Sequence, residues 1–271
     1  MRVRSVSLLS VFSLITALGL IGFVFDNSIE PAVKDVREAA PQIVPSTLRF
    51  STYLGGSDTD TGSAIAIDDA GYIYIAGQTA SRDFPTRNAI MTYQGGTMAD
   101  TDVFIAKLNP EGDSLVYATY LGGSGDELLA ALVIDAEGRV IVAGSTTSSD
   151  FPTNQPIQAY RGGPVLQSDA FIARLRADGT TIDFATYLGG TGEESITALA
   201  LGSNGELYAT GATQSSDFPI TSNAFQQTHA GGGLLRTDGF VARFIPDGNG
   251  FLVDYATYLG GRMDEVPAGI A

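Results

Sequence analysis

There is no cysteine among the 271 residues, which removes disulfides, thiol catalysis and thiolate metal sites together. Tryptophan is also absent, and histidine occurs once, at His229. Positive charge is scarce: 15 Lys and Arg stand against 30 Asp and Glu, a formal net charge of −15. A field of that sign repels phosphate, which disfavours nucleic acid and anionic membrane surfaces as main partners. No Walker loop, HExxH or Gly-x-Ser-x-Gly motif occurs either. Glycine, by contrast, is plentiful at 33 residues, in keeping with many tight turns.

Charge is missing altogether from Ser5 to Phe25, a run of 21 residues preceded by Arg2 and Arg4 and followed by Asp26 and Glu30. At about 1.5 Å per residue a helix of this length crosses a hydrocarbon core of roughly 30 Å. The arginines favour the cytoplasmic side, so everything beyond Phe25 is expected to be exported. Two readings of 1–25 stay open, an uncleaved transmembrane anchor and a cleaved signal peptide. Residues 26–46, with Pro31, Pro41 and Pro45, read as a linker. The first 46 residues carry as many bases as acids, so the whole charge excess belongs to residues 47–271.

That remainder is a tandem repeat. Thr-Tyr-Leu-Gly-Gly occurs four times, with Tyr53, Tyr120, Tyr187 and Tyr258 spaced by 67, 67 and 71 residues. Asp83-Phe84-Pro85, Asp150-Phe151-Pro152 and Asp217-Phe218-Pro219 recur at intervals of 67. A third marker, Asp-x-Phe-[Ile/Val]-Ala-[Lys/Arg], begins at Asp102, Asp169 and Asp238. Each unit holds four runs rich in β-branched and aromatic residues, in the first unit 64–67, 72–76, 103–106 and 115–120. Turns ending in glycine, such as Asp68-Asp69-Ala70-Gly71 and Asn109-Pro110-Glu111-Gly112, join them as hairpins. Four antiparallel strands per radially repeated unit is the plan of a β-propeller blade. The expected fold is all-β, with units at about 57–123, 124–190 and 191–261 and a partial one at 262–271. Three complete blades with partial terminal strands at 47–56 and 262–271 would make an open or incomplete propeller, preceded by the N-terminal apolar helix. Either the chain is a fragment, or separate chains associate through the unclosed blade ends.

The motifs Thr-Tyr-Leu-Gly-Gly, Ala-x-Ala-Ile-Asp, Ser-x-Asp-Phe-Pro and Asp-x-Phe-[Ile/Val]-Ala-[Lys/Arg], recurring in order, resemble the bacterial "seven-bladed β-propeller" repeat family, SBBP. The resemblance covers residues 47–271. It implies a propeller fold and an exported location more than a task.

Four acidic loops invite a metal reading: Asp58 and Asp60, Asp126 and Glu127, Glu193 and Glu194, Asp264 and Glu265. Ca²⁺ is the one cofactor they leave open, but Gly62 stands where an EF-hand-like loop starting at Asp58 needs its third oxygen ligand. Solvated turn residues are the simpler account. The Asp-Phe-Pro triplets read as structural, with Phe pinning the long loop, Pro fixing its exit and Asp capping backbone N–H groups. The four repeat tyrosines read as packing between blades, with each hydroxyl reaching a polar partner. His229 has no matching residue in the other units and no nearby Ser–Asp arrangement, which argues against catalysis. No catalytic residue and no cofactor is therefore assigned. The leading function is a non-catalytic, exported or membrane-anchored interaction or scaffold module with a protein or glycan partner at the cell surface. The alternatives are an extracytoplasmic hydrolase or lyase with carboxylates at the propeller axis, and a calcium-stabilised adhesion module.

Overall fold

The computed structural model describes residues 50–95, 100–160, 167–231 and 236–271. The N-terminal segments at 1–25 and 26–46 lie outside the described residues. Among those described, no helix is long and apolar enough to cross a membrane, and all regular structure is strand.

Twelve strands form three four-stranded antiparallel sheets, each a meander in chain order. The first holds β1 (Asp60–Ile67), β2 (Ile73–Thr79), β3 (Asp102–Leu108) and β4 (Leu115–Leu121). The second holds β5 (Glu127–Ile134), β6 (Val140–Thr146), β7 (Asp169–Leu175) and β8 (Ile182–Leu188). The third holds β9 (Glu194–Leu201), β10 (Leu207–Thr213), β11 (Asp238–Asp247) and β12 (Gly250–Leu259). The partial strands expected at 47–56 and 262–271 do not form: neither the described residues 50–56 nor 260–271 are strand. The C-terminal segment still touches the third sheet, where Thr197 Oγ1 donates to the Pro267 carbonyl at 2.6 Å, but it joins no ladder.

The sheets pack face to face through continuous apolar clusters. Val103, Ile105 and Leu121 of the first unit meet Leu129, Val140 and Val142 of the second. Ile141, Ile172 and Phe184 of the second meet Ile196, Leu207 and Phe240 of the third. Every residue of β3 and β7 is buried, in keeping with central strands covered on both faces. Burying each large apolar side chain is worth about 1.5–3 kcal/mol, so these two seams dominate cohesion between units. On β1 the equivalent face is uncovered: Ile65 and Ile67 are exposed, while their counterparts Leu132 and Ile134 on β5 are half-buried.

The first two strands of each unit break register once, at Gly62/Ala64, Leu129/Ala131 and Thr210/Gly211. Opposite each bulge lies a glycine, Gly77, Gly144 or Gly211, whose missing Cβ lets a carbonyl of the neighbouring strand approach. In Gly144→Ala the new methyl meets the Leu128 carbonyl. That substitution is expected to cost on the order of 1–3 kcal/mol and to lower Tm by several degrees. Gly62→Ala, which has open space around the new atom, is expected to leave Tm nearly unchanged. Equal melting of the two variants would contradict this assignment.

Candidate functional site

The connection between units is built from the sequence markers themselves. In the turn after β4, three successive backbone N–H groups are each taken by a different side chain. Gly123 donates to Glu127 Oε2 at 3.0 Å, Ser124 to Asp150 Oδ1 at 2.8 Å and Gly125 to Ser148 Oγ at 2.8 Å. After β8 the same roles fall to Glu194 with Gly190, Asp217 with Thr191, and Ser215 with Gly192, at 2.8, 2.9 and 2.7 Å. Before β1 they fall to Asp60 with Gly56, Asp83 with Ser57, and Ser81 with Asp58, at 2.7, 2.8 and 2.8 Å. Glu265 takes the Gly261 N–H at 2.8 Å even though no strand follows. The other oxygen of the first-strand acid is held by hydroxyls: Thr146 and Ser148 donate to Glu127 Oε1, both at 2.6 Å.

The acidic pairs are thus not equivalent in the way their spacing suggests. Asp60, Glu127, Glu194 and Glu265 correspond, and Thr59 stands where the next units have Asp126 and Glu193. Nor are the corresponding acids of the two central turns solvated, since Glu127 and Glu194 are almost fully buried. Their partners are backbone and hydroxyl donors, which leaves little for a cation. Asp126 Oδ1 accepts the Thr101 N–H at 2.9 Å and Asp264 Oδ1 that of Thr237 at 3.1 Å, both reaching back to the preceding unit. Glu193 Oε2 accepts from Gln214 Nε2 at 3.2 Å, and Asp58 is exposed. Among the described residues no three His, Cys, Asp or Glu side chains gather as a metal site requires.

A second acid lies close to Glu127 and to Glu194. Asp102, Asp169 and Asp238, which open the third strands, are fully buried. Asp102 Oδ2 accepts the Gln94 N–H at 2.7 Å, but Asp102 Oδ1 and Asp238 Oδ1 have no hydrogen bond among the described residues. A Cβ on Gly189 would lie 2.5 Å from Glu194 Oε2 and 2.7 Å from Asp169 Oδ1. Those two oxygens are therefore within about 5 Å of each other, close enough for each charge to oppose the other. Burial, with the neighbouring carboxylate adding to it, pushes Glu127 up to about 7; burial pushes Asp102 up to about 6. Glu194 moves the same way for the same main cause. The crowding also explains the first glycine of the pair, because a side chain at Gly122 or Gly189 would enter the space of both carboxyls and one at Gly55 or Gly260 that of a single carboxyl.

The aromatic members of the markers meet inside each unit. Phe84, Phe151 and Phe218 lie 4.5, 4.8 and 4.4 Å from Phe104, Phe171 and Phe240. They lie 6.1, 6.0 and 6.2 Å from Tyr120, Tyr187 and Tyr258. The tyrosine hydroxyls donate to the carbonyls of Ser81, Ser148 and Ser215 at 2.8, 2.9 and 2.9 Å. These bonds stay within one sheet unit, so the ring at the end of the fourth strand covers its own long loop, while Tyr187 and Tyr258 also belong to the apolar clusters that join units. Tyr53 is exposed, with no described loop against it. Pro85, Pro152 and Pro219 are half-buried at the exits of these loops, and beyond the first two the loop bridges to the fourth strand at Arg87–Ala118 and Asn154–Ala185. His229 does have counterparts. It meets Tyr258 edge-on at 5.7 Å, as Tyr93 and Tyr160 meet Tyr120 and Tyr187.

Two open grooves lie between the first hairpins of neighbouring units, and no sequence marker pointed to them. One, of about 440 Å³, separates the turns at 68–70 and 135–138 and is walled by Asp68, Asp69, Asp135 and Glu137. The other, of about 510 Å³, separates the turns at 135–137 and 202–205. Ile141, Leu201, Pro246 and Phe251 give it an apolar wall, and Arg139 and Arg174 give it positive charge. Both arise from packing between units, which brings together residues from 67 to 138 in the smaller groove and from 134 to 251 in the larger.

The family model of the beta-propeller repeat SBBP matches residues 49–85. Over 201 residues, 74% of this chain, the sequence is 29% identical to Regulatory protein FlaEY of Caulobacter vibrioides. The chain spans about a fifth of the length of that curated relative.

The buried acids make stability depend on pH. Unfolded, Glu127 and Asp102 titrate near 4.5 and 3.8; folded, both hold their protons more tightly. Their stabilising contribution is complete below those unfolded values and is lost as pH rises through about 6 and then 7. Tm is expected to fall by on the order of 5 °C between pH 5 and pH 8, and Glu127→Gln to flatten that slope. Identical slopes for variant and parent would contradict the assignment.

Proposed function

Taking the chain as one built on SBBP beta-propeller repeats, we propose that it is a non-catalytic interaction module, carried outside the cytoplasmic membrane, whose three sheet units form an open arc of blades. The observation that carries this reading is the use of the recurring polar residues. The carboxylates, hydroxyls and tyrosines that return with every repeat are turned inward to hold turns and loops, so they are scaffold and not a reacting centre. The carboxyl pairs have a spacing that a glycosidase could use. They are fully buried, however, and a sugar ring has no access to them. What the scaffold presents outward is its hairpin ends, the grooves between them and the uncovered face of β1. The partner is a protein or glycan at the cell surface, and the exposed Ile65 and Ile67 also suit a further unit of the same repeat. Export rests on the uncharged run at Ser5–Phe25 behind Arg2 and Arg4. The printed name of the Caulobacter relative, a regulatory protein, is in keeping with action through binding.

Immobilised full-length chain, offered cell-envelope proteins and glycans, is expected to retain a discrete partner that a heat-unfolded sample does not. A folded, monodisperse sample that retains nothing above background would count against the module. No cofactor belongs to this reading, so Tm in millimolar Ca²⁺ is expected to match Tm in chelator. A clear rise would return the acidic loops to consideration as cation sites.

A further inference from the structure

The larger groove is lined by a buried cation that makes no direct ion pair among the described residues. Lys107, Arg174 and Arg243 occupy one register position, the sixth residue of β3, β7 and β11. In the first unit Lys107 lies 4.0 Å from Asp68 and over the rings of Tyr72 and Tyr74. In the third, Arg243 grips Asp254 through Nε and Nη2. Arg174 has neither arrangement. The three acids near it pair directly with other arginines: Asp135 with Arg139 Nε at 2.6 Å, Glu137 with Arg139 Nη2 at 2.8 Å and Asp183 with Arg176 Nε at 2.9 Å. Two changes within the repeat cause this: Arg139 stands where the first unit has Tyr72, and Arg176 stands where the third has Ile245.

Arg174 is left 2% exposed. Its Nη2 donates to the Asn249 carbonyl, its guanidinium lies 4.7 Å from the Phe251 ring, and its Nε has no hydrogen bond among the described residues. A buried guanidinium with no direct ion pair is costly, and its planar fork receives a carboxylate bidentately, as it does a phosphate. The groove is of ordinary size for a small ligand, within about 300–1,000 Å³. Its two rim acids are already paired, as Arg139 also holds Glu137 at 2.8 Å. The neighbouring groove has the same hairpins but acidic walls and no Lys or Arg in its lining.

We propose that the groove between the second and third units binds an organic carboxylate with an apolar body, the carboxylate on Arg174 and the body against Ile141, Leu201 and Phe251. The inference rests on the reading of the chain as a binding module and names a ligand class for it. Envelope capture tests the module, and the titration below tests the groove, so one can fail without the other.

The probe is 3-phenylpropionate, titrated into isotopically labelled full-length chain and followed by NMR. Saturable shifts are expected at the Arg174 Nε–H and at the 202–205 amides, with the 68–71 amides unmoved. The neutral analogue 3-phenylpropionamide is expected to bind at least tenfold more weakly, as is the ligand to Arg174→Lys; Lys107 shows that lysine fits this register. If that variant fails to fold, the acid–amide comparison on the parent decides alone. A peptide ending in a free phenylalanine carboxylate, run in parallel, distinguishes a chain terminus from a free small molecule as the source. Amide binding as strong as acid binding, an unweakened Arg174→Lys variant, or no saturation by either carboxylate would overturn the proposal.

Discussion

A carboxylate at the head of each first strand accepting the N–H of the second glycine before it is the interaction on which the rest depends. Asp60, Glu127, Glu194 and Glu265 all make it. The turn between units presents three N–H groups in succession, an arrangement that attracts negative charge. Here the chain supplies that charge itself, from the following strand and from the Asp-Phe-Pro loop. One turn therefore links the end of one unit, the first strand of the next and that unit's long loop. The three markers recur together because they touch one another: the Gly-Gly pair makes room for the acids, and the tyrosine beside it covers its own unit's loop, whose aspartate serves the turn before.

The net charge of −15 has two populations behind it. One is inward, with Glu127, Glu194 and the third-strand aspartates buried at the junctions between units. The other is outward, in hairpin turns such as Asp68-Asp69, where it disfavours nucleic acid and lines the smaller groove. Because Glu127, Glu194 and Asp102 are protonated more readily than ordinary carboxyls, the molecule is least negative, and its junctions least strained, on the acidic side of neutrality.

The strands and hairpins were legible because their signals are local: alternating β-formers, and glycine at turns such as Gly71 and Gly138, where φ is positive. The acids were legible as recurrent, but their roles were not. Asp58 and Asp60 look like the pair Asp126 and Glu127, yet the true register aligns Asp60 with Glu127, and it is decided by hydrogen bonds to Thr79 and Ser81 some 20 residues away. His229 looked unmatched because tyrosine takes its place in the other units, with the shared function being an edge contact rather than a shared chemistry. Arg174 was the least legible of all. Its isolation depends on Arg139 and Arg176 winning three acids, a competition that no spacing rule records.

Native-state hydrogen exchange tests the role of the inter-unit turn most directly, because Gly123, Ser124, Gly190 and Thr191 lie outside the strands and owe their hydrogen bonds to side chains alone. If carboxylates hold these turns as part of the core, those four amides exchange about as slowly as the central amides of β7. Exchange at the rate of an exposed loop would contradict it.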